Sequence, residues 1–290
     1  MTLRIEIEQL DMFSKVLNAA AAILEDEGTF VIRPQDGILL RNMDKGRFAM
    51  VDLKIHPSYF EGAGSFTCDK EYVIAVHMQD LKKVLQRARK DDMLTVELDE
   101  NKEILKLAYT GRGTRDFILP LSAPEETQLP DPSELDFGVT AELVGGALSE
   151  IVRDVSIVGD LVTIRADAGK MIFSSSHDKK EVSVEMEVDQ QGNSALTSIS
   201  MDKTAESMYP TDYFKNIILV DNSFASAKLW FDSDKPLKLL YQYENNLALG
   251  YLLAPMQQDY ESEEHEEEGS YDDDDDEEWE DYEDENEDEE

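Results

Sequence analysis

The sequence predicts an α+β fold written twice: two similar domains of antiparallel sheet, each with its helices on one face. Three observations lead there. First, Leu105-Lys106-Leu107-x-Tyr109 returns 132 residues later as Leu237-Lys238-Leu239-x-Tyr241. Ile32-Arg33 and Gly37 return at that offset as Ile164-Arg165 and Gly169, and Phe117-Ile118-Leu119 falls opposite Leu249-Gly250-Tyr251. Matches in order at one offset mark an internal duplication. Second, apolar residues alternate strictly in Val51/Leu53/Ile55, Leu94/Val96/Leu98 and Val182/Val184/Met186. Period-2 alternation belongs to strands with one buried and one wet face, as in antiparallel sheets. Third, a few segments switch to helical spacing instead.

Taken in order, Leu3, Ile5 and Ile7 alternate as a first strand, and Leu10 to Leu24 presents Leu10, Phe13, Leu17, Ala20, Ala21 and Leu24 on one helical face. A second helix is expected over Met78 to Arg89, with Leu81, Val84, Leu85 and Ala88 as its stripe and Asp80 near its positive end. In the second half, Val144, Ala147, Leu148, Ile151, Val152 and Val155 repeat the first pattern. Pro210 is expected to begin the fourth helix, where a missing N–H costs nothing. The domains are therefore drawn at 1–121 and 137–256, with 122–136 as connector and 257–290 as an acidic tail. Pro124, Pro130 and Pro132 keep the connector extended, and Leu129 is its one strongly apolar residue before Leu135. Leu129 is either a peg that tacks this strap down or part of a binding surface.

Charge separates by position. The chain of 290 residues has a net charge of −38, yet 23 of its 65 acids and none of its 27 bases fall in residues 257–290. The body is only moderately acidic, so where its bases sit decides what it binds. Leu81 to Lys90 holds Lys82, Lys83, Arg87, Arg89 and Lys90 with no acid, and further bases recur on the other helices as Lys15, Arg153 and Lys215. One reading is a solvated helix face; the other is sequence-independent contact with phosphates, since no aromatic interleaves the bases to stack on them. Cys68 is the only cysteine, which excludes an intrachain disulfide framework and reads as a small core residue of a reducing compartment. No apolar run approaches the ~18 residues that span a bilayer. No Walker-type loop, His-Glu-x-x-His or Gly-x-Ser-x-Gly is present, and the four His are scattered without ligand spacing, so neither catalysis nor a metal or cofactor is expected.

Several segments together resemble a known family. Asp36-Gly37-Ile38, Met43-Asp44, Val51-Asp52-Leu53, Arg153-Asp154-Val155-Ser156-Ile157-Val158-Gly159-Asp160, Asp234-Lys235-Pro236-Leu237-Lys238-Leu239 and Tyr251-Leu252-Leu253-Ala254-Pro255 are similar to the archaeal and eukaryotic DNA polymerase sliding clamps, the proliferating cell nuclear antigen family. The resemblance spans residues 1 to about 256. It implies a trimeric ring, from identical or paralogous subunits, whose helices line a channel around duplex DNA. It implies backbone contact by Lys15, Lys82, Lys83, Arg87, Arg153 and Lys215, and ring closure between edge strands near Gly111–Leu119 and Lys179–Glu187. Polymerase, flap nuclease, ligase and clamp loader would dock short peptides in a pocket of Met43, Arg47, Phe48, Met50, Leu129, Pro236, Leu252, Leu253 and Pro255. Arg47 and Leu252 stand where many relatives carry His and Tyr, which bears on the motifs that fit. The resemblance also implies a nuclear protein in a eukaryote, or a cytoplasmic, nucleoid-associated one in an archaeon.

Two other readings stay beside it. One keeps the fold but assigns a subunit of a heterotrimeric or checkpoint-type clamp. The other is an acidic chaperone for basic proteins, led by the tail, in which Asp272 to Glu278 is an unbroken run of carboxylates with Tyr260, Tyr271, Trp279 and Tyr282 around it. Self-repulsion and scarce aliphatics predict disorder there.

Overall fold

The computed structural model describes residues 3–62, 64–124, 129–189 and 191–256. The acidic tail and its expected disorder lie outside the described residues. The first half runs β1 (Arg4–Ile7), α1 (Leu10–Ile23), β2 (Glu27–Arg33), β3 (Gly37–Met43), β4 (Ala49–Ile55), β5 (Gly64–Thr67), β6 (Tyr72–His77), α2 (Met78–Leu85), β7 (Met93–Asp99), β8 (Ile104–Thr110) and β9 (Thr114–Ser122). The second runs β10 (Val139–Val144), α3 (Ala147–Val155), β11 (Leu161–Asp167), β12 (Lys170–His177), β13 (Lys180–Glu187), β14 (Leu196–Met201), β15 (Ala205–Pro210), α4 (Thr211–Ile217), β16 (Ser226–Phe231), β17 (Leu237–Tyr243) and β18 (Leu247–Leu253). The element order is the same in both halves, as duplication requires.

All the strand pairings are antiparallel, in a fourteen-stranded sheet ordered β14-β10-β16-β17-β18-β4-β3-β2-β6-β9-β8-β7-β1-β5 and a four-stranded sheet β13-β12-β11-β15. The halves join where β18 pairs with β4, from Leu247 opposite Ile55 to Leu253 opposite Ala49. Alternation decides the faces: Val51, Leu53 and Ile55 are wholly buried, while Asp52 and Lys54 between them reach the surface side. α1 packs against α2, α4 and β4, and α3 against α4, so the helices form one row, α2-α1-α4-α3, over one side of the sheets.

The pairing also shows where the simple offset drifts. Leu107 faces Phe117 and Leu239 faces Tyr251, so the structural counterpart of Phe117 is Tyr251, not Leu249. Both turns there hold three residues; the shift arises because β17 runs one residue further before its turn. Gly37 and Gly169 share a left-handed backbone, φ +81° and +83°, but not a position. Gly37 itself pairs with Arg33, whereas Gly169 sits with Ala168 in a two-residue turn between Asp167 and Lys170.

Helix ends depart from the sequence reading in three places. The second helix stops at Leu85 rather than Arg89. Arg87 and Ala88 N–H groups donate three residues back, to Val84 and Leu85, which tightens the last turn. The third begins at Ala147, leaving Val144 exposed on β10, because Gly145 and Gly146 break the chain there. A Cβ on Gly145 would lie 1.8 Å from the Phe224 carbonyl oxygen. Pro210 ends β15, and the fourth helix starts at Thr211. Cys68 lies just past β5 and is only partly buried; its Sγ–H donates to the Lys70 carbonyl at 2.9 Å, and burial raises its pKa.

Candidate nucleic-acid face and partner pocket

α1 holds together because its residues from Leu10 to Ile23 include neither Gly nor Pro, with Val16, Ala19 and Ala20 fully buried. Its exposed side bears Lys15, whose ammonium sits 2.7 Å from Asp11. The neighbouring helices repeat this arrangement: Lys83 lies 2.8 Å from Asp80, and Lys215 lies 2.9 Å from Asp212. The hydrogen bond from Lys83 is the chief reason that the Asp80 carboxyl titrates below its usual range. Such exposed pairs are weak and exchange readily for a phosphate. Lys82, Arg87 and Arg153 make no ion pair or side-chain hydrogen bond among the described residues. Lys15, Lys82, Lys83, Arg153 and Lys215 thus come from all four helices of one layer. Arg87 lies beyond the end of its helix, so its expected place on the helical face is corrected to the loop that follows.

The nine expected pocket residues divide into groups. On the side of the sheet away from the helices, Met43 of β3, Met50 of β4, Leu252 of β18 and Lys238 of β17 form one cross-strand row. Met50 and Leu252 are 1% and 6% exposed, yet neither belongs to the main core. Leu253 points to the opposite face and is wholly buried in that core, so it lines no surface pocket here. Pro236 and Pro255 are half-buried, beside β17 and β18.

Connector and loop geometry completes the site. Lys238 donates to the Pro132 carbonyl at 3.3 Å and Lys235 to the Asp136 carbonyl at 2.8 Å, which straps the connector to the second half. The Lys238 ammonium also lies 5.2 Å from the centre of the Trp230 ring. The β3–β4 loop is organised by Asp44. Its carboxylate accepts from Ala49 N–H at 2.7 Å, Gly46 N–H at 3.1 Å and the Tyr213 hydroxyl of α4 at 2.7 Å. Burial and this carboxylate push the Tyr213 hydroxyl up to about 12. Phe48 rests 6.0 Å from the Tyr213 ring and remains 44% exposed. Met43, Arg47 and Leu129 line a cavity of 930 Å³ between this loop, the end of α1 and the start of α4. The equivalent turn between β12 and β13 has only Asp178 and Lys179, both with left-handed backbones, so the second half builds no such cavity rim.

Sequence reasoning missed Asp44 as organiser, Tyr213 as its partner, and the lysine straps. Asp44-x-Gly46 is a local signal for the loop; the rest depends on pairing distant strands.

Besides β5, β14 and β15, which end their sheets, strand edges on β9 and β13 are open in the described structure. β9 meets β8 along its length but touches β6 only at Leu121 and Ser122. β13 pairs with β12 alone. Phe117 at the first edge, and Val182, Val184 and Met186 at the second, are half-buried apolar residues packed on the core.

Comparison with known proteins agrees with this geometry. The family model described as "Proliferating cell nuclear antigen, N-terminal domain" matches residues 2–117, and that of the C-terminal domain matches residues 132–256. A DNA polymerase sliding clamp of Nanoarchaeum equitans is 31% identical over 254 residues, covering 87% of this chain and 99% of the relative. One from Thermofilum pendens is 30% identical over 242 residues, covering 83% and 94%. Among solved structures, the PCNA2–PCNA3 complex from Sulfolobus tokodaii superposes with a TM-score of 0.77 at 25% identity, covering 87% of this chain and 99% of that one. PCNA from Thermococcus kodakaraensis gives 0.78 at 24% identity, covering 88% and 100%.

Proposed function

The chain belongs to the proliferating cell nuclear antigen family, and from that premise we propose that it is a DNA sliding clamp and replication processivity factor. Three chains close a ring around duplex DNA and tether polymerases and other DNA enzymes to it. The observation that supports this most strongly is the internal seam. The ninth strand of the second half, β18, pairs with the fourth strand of the first, β4. By the duplication, β9 and β13 are the corresponding ninth and fourth strands, and both have open edges. A second chain satisfies them in the same way, which covers these two edges. Repeating the seam places the row of helices on the inside, facing phosphates that it contacts without reading sequence. The clamp makes and breaks no bond: encirclement converts a partner's encounter with DNA into a local event at high effective concentration.

Topology gives the decisive test. Loaded on closed circular duplex, the protein should survive a high-salt wash and be released when the circle is linearised. Salt-sensitive binding that linearisation does not alter would argue against encirclement.

Polymerase, flap nuclease, ligase and clamp loader dock, in this reading, through short peptides over Met43, Met50, Leu252 and the connector. Leu129 is the anchor that the connector adds. Leu129→Ala should then weaken a partner peptide by roughly 1–3 kcal/mol in titration calorimetry. An unchanged Kd would return Leu129 to the role of a peg. The protein works in whichever compartment holds the DNA.

A further inference from the structure

We propose that the joint between neighbouring chains sets acid against acid on its outer face, with Asp116 of one chain between Glu181 and Glu185 of the next. A related subunit with a base in place of Asp116 or Glu181 is then a better neighbour than a second copy. This rests on the ring reading above and adds to it the register and charge of the contact.

The register follows because the two halves share one frame, strand by strand. Phe117 and Tyr251 are counterparts, so Ser122 and Met256, each five residues on, are counterparts too. Ser122 pairs with Ala75, and Met256 N–H donates to the Met208 carbonyl at 2.8 Å, which equates Ala75 with Met208. Beside Ala75, Ile74 pairs with Phe30, Phe30 with Leu40, and Leu40 with Leu53. Beside Met208, Ser207 pairs with Ile164, Ile164 with Phe173, and Phe173 with Val184. Val184 of β13 therefore occupies the place of Leu53 of β4. Inside the chain, Tyr251 faces Val51 and Gly250 faces Asp52. Between chains, Phe117 then faces Val182, and Asp116 faces Ser183. Half-buried apolar residues meet on the inner face, and a shift of one residue would part them.

The outer face carries the charge. Ile118, Asp116 and Thr114 fall opposite Glu181, Ser183 and Glu185, and all six are exposed. Asp116 thus has two diagonal neighbours about 7 Å away, both carboxylates and both within reach of its side chain. Lys170 engages Glu185 in its own chain, while no base pairs with Asp116 or Glu181 among the described residues. Arg112 falls opposite Glu187 at the end of the row. The seam inside the chain is built the other way. There Asp52 faces Gly250 and is held by Arg41 at 2.9 Å, with Lys54 3.6 Å away. In the same frame, Asp116 replaces Gly250, Ser174 replaces Arg41 and Glu185 replaces Lys54. Like charges across strands oppose pairing, and disfavouring one neighbour is how an interface selects another.

Sedimentation of the full-length chain across a dilution series reads the concentration at which half of it is assembled. Asp116→Lys and Glu181→Lys should each lower that concentration by roughly fivefold, because each turns a repulsive contact into an attractive one at every joint. The double variant should be looser than either single one, since it sets base against base. Both residues are exposed on strand surfaces, so the subunit fold should be untouched. A double variant tighter than both would trace the effect to lower net charge and overturn the contact. Four chains with one midpoint would overturn it as well, with the ring left standing. Absence of assembly in all four would overturn the ring reading itself, and this inference with it.

Discussion

Phe117→Asp or Val184→Asp should yield a chain that scatters light at its single-chain mass of 32.9 kDa, where the parent is expected to scatter at three times that mass. Both residues lie on the core side of the open edges, so a carboxylate there is trapped without a partner when the seam closes. Breaking a buried arrangement in this way costs roughly 3–5 kcal/mol per joint. That corresponds to about a thousandfold weaker association. Retention on circular DNA should disappear with the ring. Unfolding followed by circular dichroism separates seam loss from collapse of the subunit. A trimer that survives either change would move the seam elsewhere, and a parent that is itself a single chain would call for paralogous partners.

Replacing Lys82, Lys83 and Arg87 together with Ala should leave the scattering mass unchanged and weaken association with short duplexes at low salt. Each phosphate contact contributes about 0.9 to the slope of log affinity against log salt, so three contacts lower it by roughly 2–3. An unchanged slope would turn these residues back into a solvated surface.

What the sequence made legible was local. Leu10 to Leu24 reads as a helix and forms one because its apolar spacing and its burial coincide. The strand alternation from Val51 to Ile55 survives for the same reason. α2 was read too long because Ala88 extends the stripe of Val84 and Leu85; the constraint that holds the loop after it is Arg115, 28 residues further on. α3 was read too early because Val144 falls in phase, although the Gly145-Gly146 pair was visible as a breaker. Of the candidate site, Met43, Arg47 and Leu129 meet at one cavity, but Leu253 faces away from Leu252. A face depends on strand parity, and parity can be read only once the strand's limits are known.

The β18–β4 join has a mechanical consequence. In a ring of three such chains, half the joints are interior to a polypeptide and half are not. An interior joint is backed by the covalent chain and by a core continuous through both halves, so it cannot part without unfolding the subunit. A joint between β9 and β13 can part with each subunit intact. Any device that admits DNA must therefore act as a gate at one of three places, and the duplication that built the ring also decided where it can open.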